Sequence, residues 1–458
     1  MKKRILCIGF ALIVLLSGKV SANTIYTQKE IDNYIYKCAT RQMSTVTNPG
    51  NQSIGGEWTV MGLAKSGYIT KDYANIYLDN LLNKLESTNG VLSAQKYTEY
   101  SRVVIALTSL GYDASSFCGY NLVKPLGEAD KVKGQGLNGV AYALIALECG
   151  DYANPKVPAD YTGKIGTRSS YKESLVKAAR ANGGWTLMGQ NADVDMTGIV
   201  IQALAPYYTK DSEVQKEINK ALQFLSESQM DNGGFATVGK ETCESSAQAI
   251  VALSSVGVKL NDDRFIKKGN NVLDGLLRYY IEESGGFAHL LNGKCNQMAT
   301  DQAMYALVAS KIMAEKESSA GTIKPFYDLV KHKAKGKKLK KINKKTLKKQ
   351  IKKTKAKIKK QKRAVSSKNI QPVTAAINSA TVTKHKKHKK HKKAKKATTV
   401  ITSSISTTVV ATEHNNKKVT SKKKEASKTN ILLPLIVIWI IMVVGGIVFF
   451  KKSGGKNV

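Results

Sequence analysis

Three clusters of polar side chains stand just ahead of three apolar helical stretches, at matching places along the chain. The first holds Asn191, Asp193 and Asp195, the second Thr242, Glu244 and Ser245, and the third Gln297, Thr300 and Asp301. Carboxylate, amide and hydroxyl groups at a helix start can do two kinds of work. They accept from the free N–H groups of the first turn. Where several helix starts converge, they also supply the few polar contacts that orient a small molecule in a concave mouth. Asp195 and Ser245 stand where caps belong. The convergence of equivalent positions favours a ligand contact for some of the set. A zinc site has little support, because none of the cysteines forms a CxxC pair.

The elements that must position these groups are repeats. NGGWTLMGQNADVDMTGIVIQALAPYY from Asn182, NGGFATVGKETCESSAQAIVALSSVG from Asn232 and SGGFAHLLNGKCNQMATDQAMYALVAS from Ser284 share one plan: Gly-Gly-aromatic, a polar stretch, then a helix of Ala, Leu, Ile and Val. Trp185, Phe235 and Phe287 are about fifty residues apart, the period of stacked supersecondary units. Weaker copies start at Gly55, Lys96 and Lys133. Their apolar residues follow helical spacing, as Tyr142, Ile145 and Ala146 do. Small residues between them allow close packing on several sides, which marks an inner layer. Amphipathic stretches with charged faces alternate with them: Asp72 to Leu85, Ser169 to Arg180, Ser212 to Ser226 and Asp262 to Ile281. Each is expected as an outer helix, bounded by Asp or Ser caps and by Gly or Asn. Strand signals are sparse. The expected fold is all-α, with about six helical hairpins curled into a closed α6/α6 toroid. Gly-Gly supplies the backbone angles for leaving an outer helix, and the aromatic plugs between hairpins.

The net charge of +38 on 458 residues is unevenly held. Residues 331–458 carry 38 Lys and Arg against 2 Glu, while 23–330 carry 30 basic and 32 acidic residues. Residues 1–22 are expected as a signal peptide, with a basic head, an apolar core from Ile5 to Leu16, and a small-residue end at Val20-Ser21-Ala22. Ile431 to Phe450 is expected as a transmembrane helix. It would leave 451–458 cytoplasmic and the rest outside, as a single-pass protein of the cell membrane. Residues 331–430 are expected as a disordered Lys-rich stalk. The stripe Leu339, Ile342, Leu347, Ile351 and Ile358 is helical in spacing, but self-repulsion among 18 Lys and one Arg in 331–363 should keep it open. Its expected partners are anionic wall polymers or lipid headgroups. Nucleic acid is not expected, since no aromatics interleave with the basic runs. Export permits disulfides, and five cysteines follow the signal segment.

KALQFLSESQMDNGGF, residues 220–235, resembles the glutamine-tryptophan repeat of squalene and hopene cyclases, with Phe235 at the tryptophan. More broadly, 23–330 resembles the prenyltransferase/squalene-cyclase repeat superfamily, and within it exported bacterial members and the cobalamin carriers of the transcobalamin and intrinsic factor family. GGEWTVMGLAKSG, KYTEYSRVVIALTSLG, NADVDMTGIVIQALAPYY, ESSAQAIVAL and NQMATDQAMYAL carry the likeness. It implies a toroid with a ligand-facing mouth.

Class II cyclases protonate an alkene with the middle Asp of DxDDT, and Asp195 takes that place in Asp193-Val194-Asp195-Met196-Thr197. Met196 stands where the neighbouring acid belongs, and the inner helices are poor in aromatics. The prenyltransferase zinc set of Asp, Cys and His is not reproduced around His289, the only histidine of 23–330, even with Cys243, Cys295 and Asp301 available. Cys295-Asn296-Gln297 does not match the spacing of a thioester loop. The carriers' corrinoid contacts fall on Asn191 to Asp195, Thr242 with Ser245, and Gln297, with Thr242 replacing an Asn. Cobalamin is therefore one implied ligand, although nothing after residue 330 reads as the carriers' second, β-rich domain. The carriers also imply the pairings Cys38–Cys243 and Cys118–Cys295, leaving Cys149 free. The sequence thus favours a membrane-anchored extracellular protein that binds a small molecule or surface polymer without a resident cofactor. The alternatives are a cyclase-type enzyme using Asp195 as general acid, and an adhesion or scaffold module.

Overall fold

Polar caps set most of the helix starts. In the computed structural model, which describes residues 24–318 and 338–368, the helices in chain order are α1 (Gln28–Thr45), α2 (Trp58–Ser66), α3 (Lys71–Ser87), α4 (Thr98–Ser109), α5 (Ala129–Lys133), α6 (Gly136–Cys149), α7 (Arg168–Lys177), α8 (Val194–Leu204), α9 (Ser212–Ser228), α10 (Cys243–Ser255), α11 (Val272–Leu277), α12 (Gln297–Ser318) and α13 (Lys344–Lys368). Thr27 and Glu30 form a capping box on α1, and Thr70, Thr167, Asp211 and Asn271 cap α3, α7, α9 and α11. The described residues up to Lys359 belong to one packed unit.

The even-numbered helices α2 to α12 form a ring. Each packs on the next, and α12 returns to α2. The odd-numbered helices lie outside it: α1 on α12, α5 on α6, α7 on α6 and α8, α9 on α8, and α11 on α10. The inner helices are buried on nearly all sides, and α8 has no exposed residue. Their Ala, Gly and Val positions let helices approach closely without stranded polar groups. Among the described residues, the six inner helices and the odd-numbered outer helices α1 to α11 make the expected double ring, with α13 a seventh outside it.

The three sharpest repeats close their loops in one way. The backbone N–H of Trp185, Phe235 and Phe287 donates to a hydroxyl one turn into the following helix: Thr197 at 2.9 Å, Ser246 at 3.2 Å and Thr300 at 3.0 Å. The carbonyl of each aromatic then accepts from the cap residue: Asp193 at 2.8 Å, Thr242 at 3.4 Å and Asn296 at 2.8 Å. All three aromatics are fully buried. Gly233 has φ of +82°, and a Cβ there would lie 2.2 Å from the Asn271 carbonyl at the head of α11. No side chain fits that approach.

Strands are short. β1 (Tyr112–Phe117) follows α4, β2 (Ala236–Thr237) and β3 (Lys240–Glu241) form a hairpin before α10, and β4 (Tyr280–Ile281) and β5 (Gly286–Phe287) form one before α12. β6 (Lys340–Ile342) runs parallel to β1.

The single outer helix expected over Asp262–Ile281 is a 3-10 turn, a tight turn through Lys268 and Gly269 at positive φ, the six-residue α11 and then β4. Asn271 caps α11 with its own side chain and so restarts the helix there.

The stalk expected to be open from 331 is ordered over 338–359 and lies on the ring. Ile342, Leu347 and Ile351 are buried. Asn343 caps α13 through the Thr346 N–H at 2.8 Å. Self-repulsion is answered by an acidic stripe on α3: Lys344 and Lys348 pair with Glu86, Lys355 with Asp79, and Lys357 with Asp72. Thr354 bridges Asn75 and Asp72 at 3.0 Å each.

The disulfides implied by resemblance are absent, and all five described cysteines are free thiols. Cys118 lies beside Glu86, Lys344 and Lys348, whereas Cys295 neighbours Cys38 and Cys243. The Cys243 sulfur turns toward the Ala299 carbonyl of α12, 3.9 Å away, rather than bonding to Cys38.

The expected signal segment and the apolar run 431–450 lie outside the described residues. No described helix is long and apolar enough to cross a membrane.

Candidate functional site

The starts of α8, α10 and α12 and the inward faces of α2, α4 and α6 surround a cavity of about 1090 Å³, counted out to its open mouth. Its wall is mainly apolar and aromatic: Ile54, Trp58, Met61, Tyr142, Leu187, Met196, Ile199, Met298 and Tyr305. The Trp58 and Tyr142 ring centroids are 5.4 Å apart with planes inclined at 51°. The polar lining comprises Ser53, Thr98, Arg102, Asn138, Asp193, Asp195, Glu244, Gln248, Asp301 and Gln302. A belt of glutamines ties three inner helices together, with Gln202 donating to Gln248 and Gln248 to Gln302 at 2.9 Å each.

The carboxyl groups have different roles. Asp193 is the cap of α8 and accepts from the Met196 N–H at 2.8 Å. Desolvation nevertheless raises its pKa. Asp301 on α12 accepts from Gln42 of α1 at 2.8 Å, the Gly55 N–H at 3.1 Å, Thr59 of α2 at 2.6 Å and Gln297 at 2.9 Å. Burial pushes it up to about 6, and those donors pull it back. Glu244, in the first turn of α10, binds His289 Nδ1 through Oε2 at 2.8 Å, while its other oxygen has no partner.

Asp195 stands apart. It is 6% exposed, and neither carboxylate oxygen has a hydrogen-bond partner. Burial, then Asp193, then Glu244 push it up, partly offset by the Ser245 and Thr237 hydroxyls, to about 7. Ser245 donates to the Thr237 hydroxyl at 3.2 Å and also meets Thr242 at 2.9 Å.

Arg102 faces the same space, but its Nε donates to the buried Glu57 at 3.4 Å. Burial drives Glu57 up to about 7 against the pull of Arg102 and Asn51. Among the described residues, no group of three His, Cys, Asp or Glu is placed to hold a metal ion.

Of the residues singled out from sequence, the cavity gathers Asp193, Asp195, Glu244 and Asp301. Asn191 is exposed on the approaching loop. Thr242 caps α10 through the Ser245 N–H at 3.1 Å, and both sit in a buried hydroxyl cluster behind the wall. Gln297 acts on Asp301. Trp58, Arg102, Tyr142 and Tyr305 were not singled out. Their signal was the register of the inner helices, which places one residue of each turn toward the lumen.

No protein-family model matches the chain, and no curated protein matches it. Among solved structures, Candida albicans protein geranylgeranyltransferase-I complexed with GGPP is similar at 12% identity and a TM-score of 0.39, covering 72% of this chain and 100% of that one. A likeness of that size carries no argument about activity, and the ring is read from its own helix contacts.

Proposed function

We propose that this protein binds a small molecule in the cavity of its inner ring. The observation that carries the reading is Asp195: a buried carboxyl with both oxygens unpartnered, on the wall of a mostly apolar cavity. Leaving such a group unmatched is costly, and a ligand's polar group aimed at it removes that cost. A concave wall that is mostly apolar with a few polar groups is typical of small-molecule sites.

Titration of the full chain with corrinoids, isoprenoids and glycans tests the reading. Saturable binding that Asp195→Asn alters supports it. No saturable binding to any class would sink it.

A second reading gives Asp195 a catalytic role, favoured by its elevated pKa. A carboxyl near 7 is about half protonated at neutral pH, so it can both give and take a proton and suits transfer to oxygen or nitrogen. It is a poor acid for an alkene, so the cyclase-type reaction is the weaker form of this reading. Turnover lost entirely in Asp195→Asn, with binding retained, would mark catalysis. The adhesion or scaffold reading predicts that filling the cavity changes nothing.

We further infer an exported, single-span protein at the cell membrane. Support comes from the order of basic head, apolar core and small residues in 1–22 and from the apolar run 431–450. The proposed partners of the basic tail are anionic wall polymers or lipid headgroups. On α13, Lys345, Lys349, Lys352 and Lys359 are exposed at spacings that share one helix face. Co-sedimentation with anionic vesicles that weakens with salt is the expected result.

A further inference from the structure

We propose that the inner-ring cavity takes an organic ammonium ion, a protonated amine on an apolar and preferably aromatic body. The inference rests on the small-molecule reading above and adds the charge and shape of the ligand.

It follows from which polar atoms on the wall are already used. The Arg102 Nε is engaged at 3.4 Å with Glu57, which lies behind the wall and not among its lining residues. Asp301 accepts from four donors, and Asp193 serves the first turn of α8. Three buried acceptor oxygens remain without a donor: both of Asp195 and the Oε1 of Glu244. They sit at equivalent second positions of α8 and α10, neighbouring inner helices in direct contact.

A bound anion would meet these oxygens with like charge. A hydrocarbon would leave them unsatisfied. An ammonium group answers both needs, since it brings three donors and a positive charge to acceptors that have neither.

The opposite requirement comes from the rings. Trp58 and Tyr142 form an inclined corner, with centroids 5.4 Å apart, and Tyr305 lines the same wall. Aromatic faces attract a cation and also pack an apolar body. Thioethers of Met61, Met196 and Met298 complete a wall that adapts to irregular shapes.

The test compares 4-phenylbutylammonium with 4-phenylbutan-1-ol, which matches it in length and apolar body but carries no charge and only one donor. Each competes, on the full chain, with N-phenyl-1-naphthylamine, a neutral fluorescent dye whose own binding reports that the cavity is open. The expected result is that the ammonium displaces the dye at least about tenfold more effectively than the alcohol. Asp195→Asn should abolish the preference, and Glu244→Gln should reduce it. Equal or better displacement by the alcohol overturns the ammonium proposal and leaves the small-molecule reading standing. Dye binding that neither compound displaces also overturns it. A wild-type chain that does not bind the dye overturns the small-molecule reading, and this proposal with it.

Discussion

Asp195 is held between two other carboxyl groups in a cavity wall that excludes most water, and its proton is the cheapest way to relieve both strains. A carboxyl with a folded-state pKa of about 7 and an ordinary value near 4 when unfolded binds its proton more tightly in the folded chain. Its contribution to stability is therefore complete below about pH 4 and is lost as pH rises through about 7. Stability should fall between about pH 4 and pH 7. Asp195→Asn removes the ionisable group, so it should raise stability at about pH 8 by on the order of 2–4 kcal/mol and change it little at or below about pH 4. Thermal unfolding of both proteins at the two pH values checks this. Glu57 and Asp301, raised to about 7 and about 6 by the same burial, act in the same direction. A residual slope should therefore survive in the variant. A variant no more stable than the wild type at the higher pH would mean that Asp195 finds a partner in solution.

Among the elements, α13 shows which of two effects holds a polycationic helix to a neutral ring. Its ion pairs are half-exposed, and such pairs contribute about 0–1 kcal/mol each. Fully burying an aliphatic side chain contributes about 1.5–3 kcal/mol, and Leu347, Ile351 and Ile342 are all buried. The apolar stripe should therefore hold the helix, and the ion pairs should set its direction. Limited trypsin digestion distinguishes the two. The wild-type segment should stay protected in about 0.5 M salt, where charges are screened beyond a few ångströms. Leu347→Ala with Ile351→Ala should be cut rapidly at low salt. Release by salt alone would reverse the assignment.

The same helix marks how far sequence reaches. The stripe of Leu339, Ile342, Leu347 and Ile351 was visible locally, as were the inner helices, because helical periodicity is a short-range signal. The lysines were weighed as if water surrounded them. Their counter-charges, Asp72, Asp79 and Glu86, recur every seven residues on α3, more than 250 residues away, and no local pattern joins the two. The site divides similarly. Asp193, Asp195 and Glu244 were legible because helix starts recur in register, although the caps are Asp193 and Thr242 rather than the expected Asp195 and Ser245. Trp58, Tyr142 and Tyr305 were not, because an aromatic facing the lumen and one facing the core have the same neighbours in sequence.

At the scale of the whole molecule, a ring differs from an open stack of hairpins in having a joint. In an open array the end units fray independently. Here α12 packs on both α1 and α2, and Asp301 binds across the seam to Gln42, Gly55 and Thr59, partners 242 to 259 residues distant in sequence. Contacts separated by that much chain are entropically expensive to form early, so the seam should form after the rest of the ring has assembled. Interactions absent from the folding transition state govern the rate of opening rather than the rate of assembly. Asp301→Ala should therefore speed unfolding in denaturant-jump experiments and leave refolding nearly unchanged. A variant that slows refolding instead would place the seam in the folding nucleus. With unfolding alone quickened, one buried carboxyl acts as a timer, fixing how long the ring stays shut.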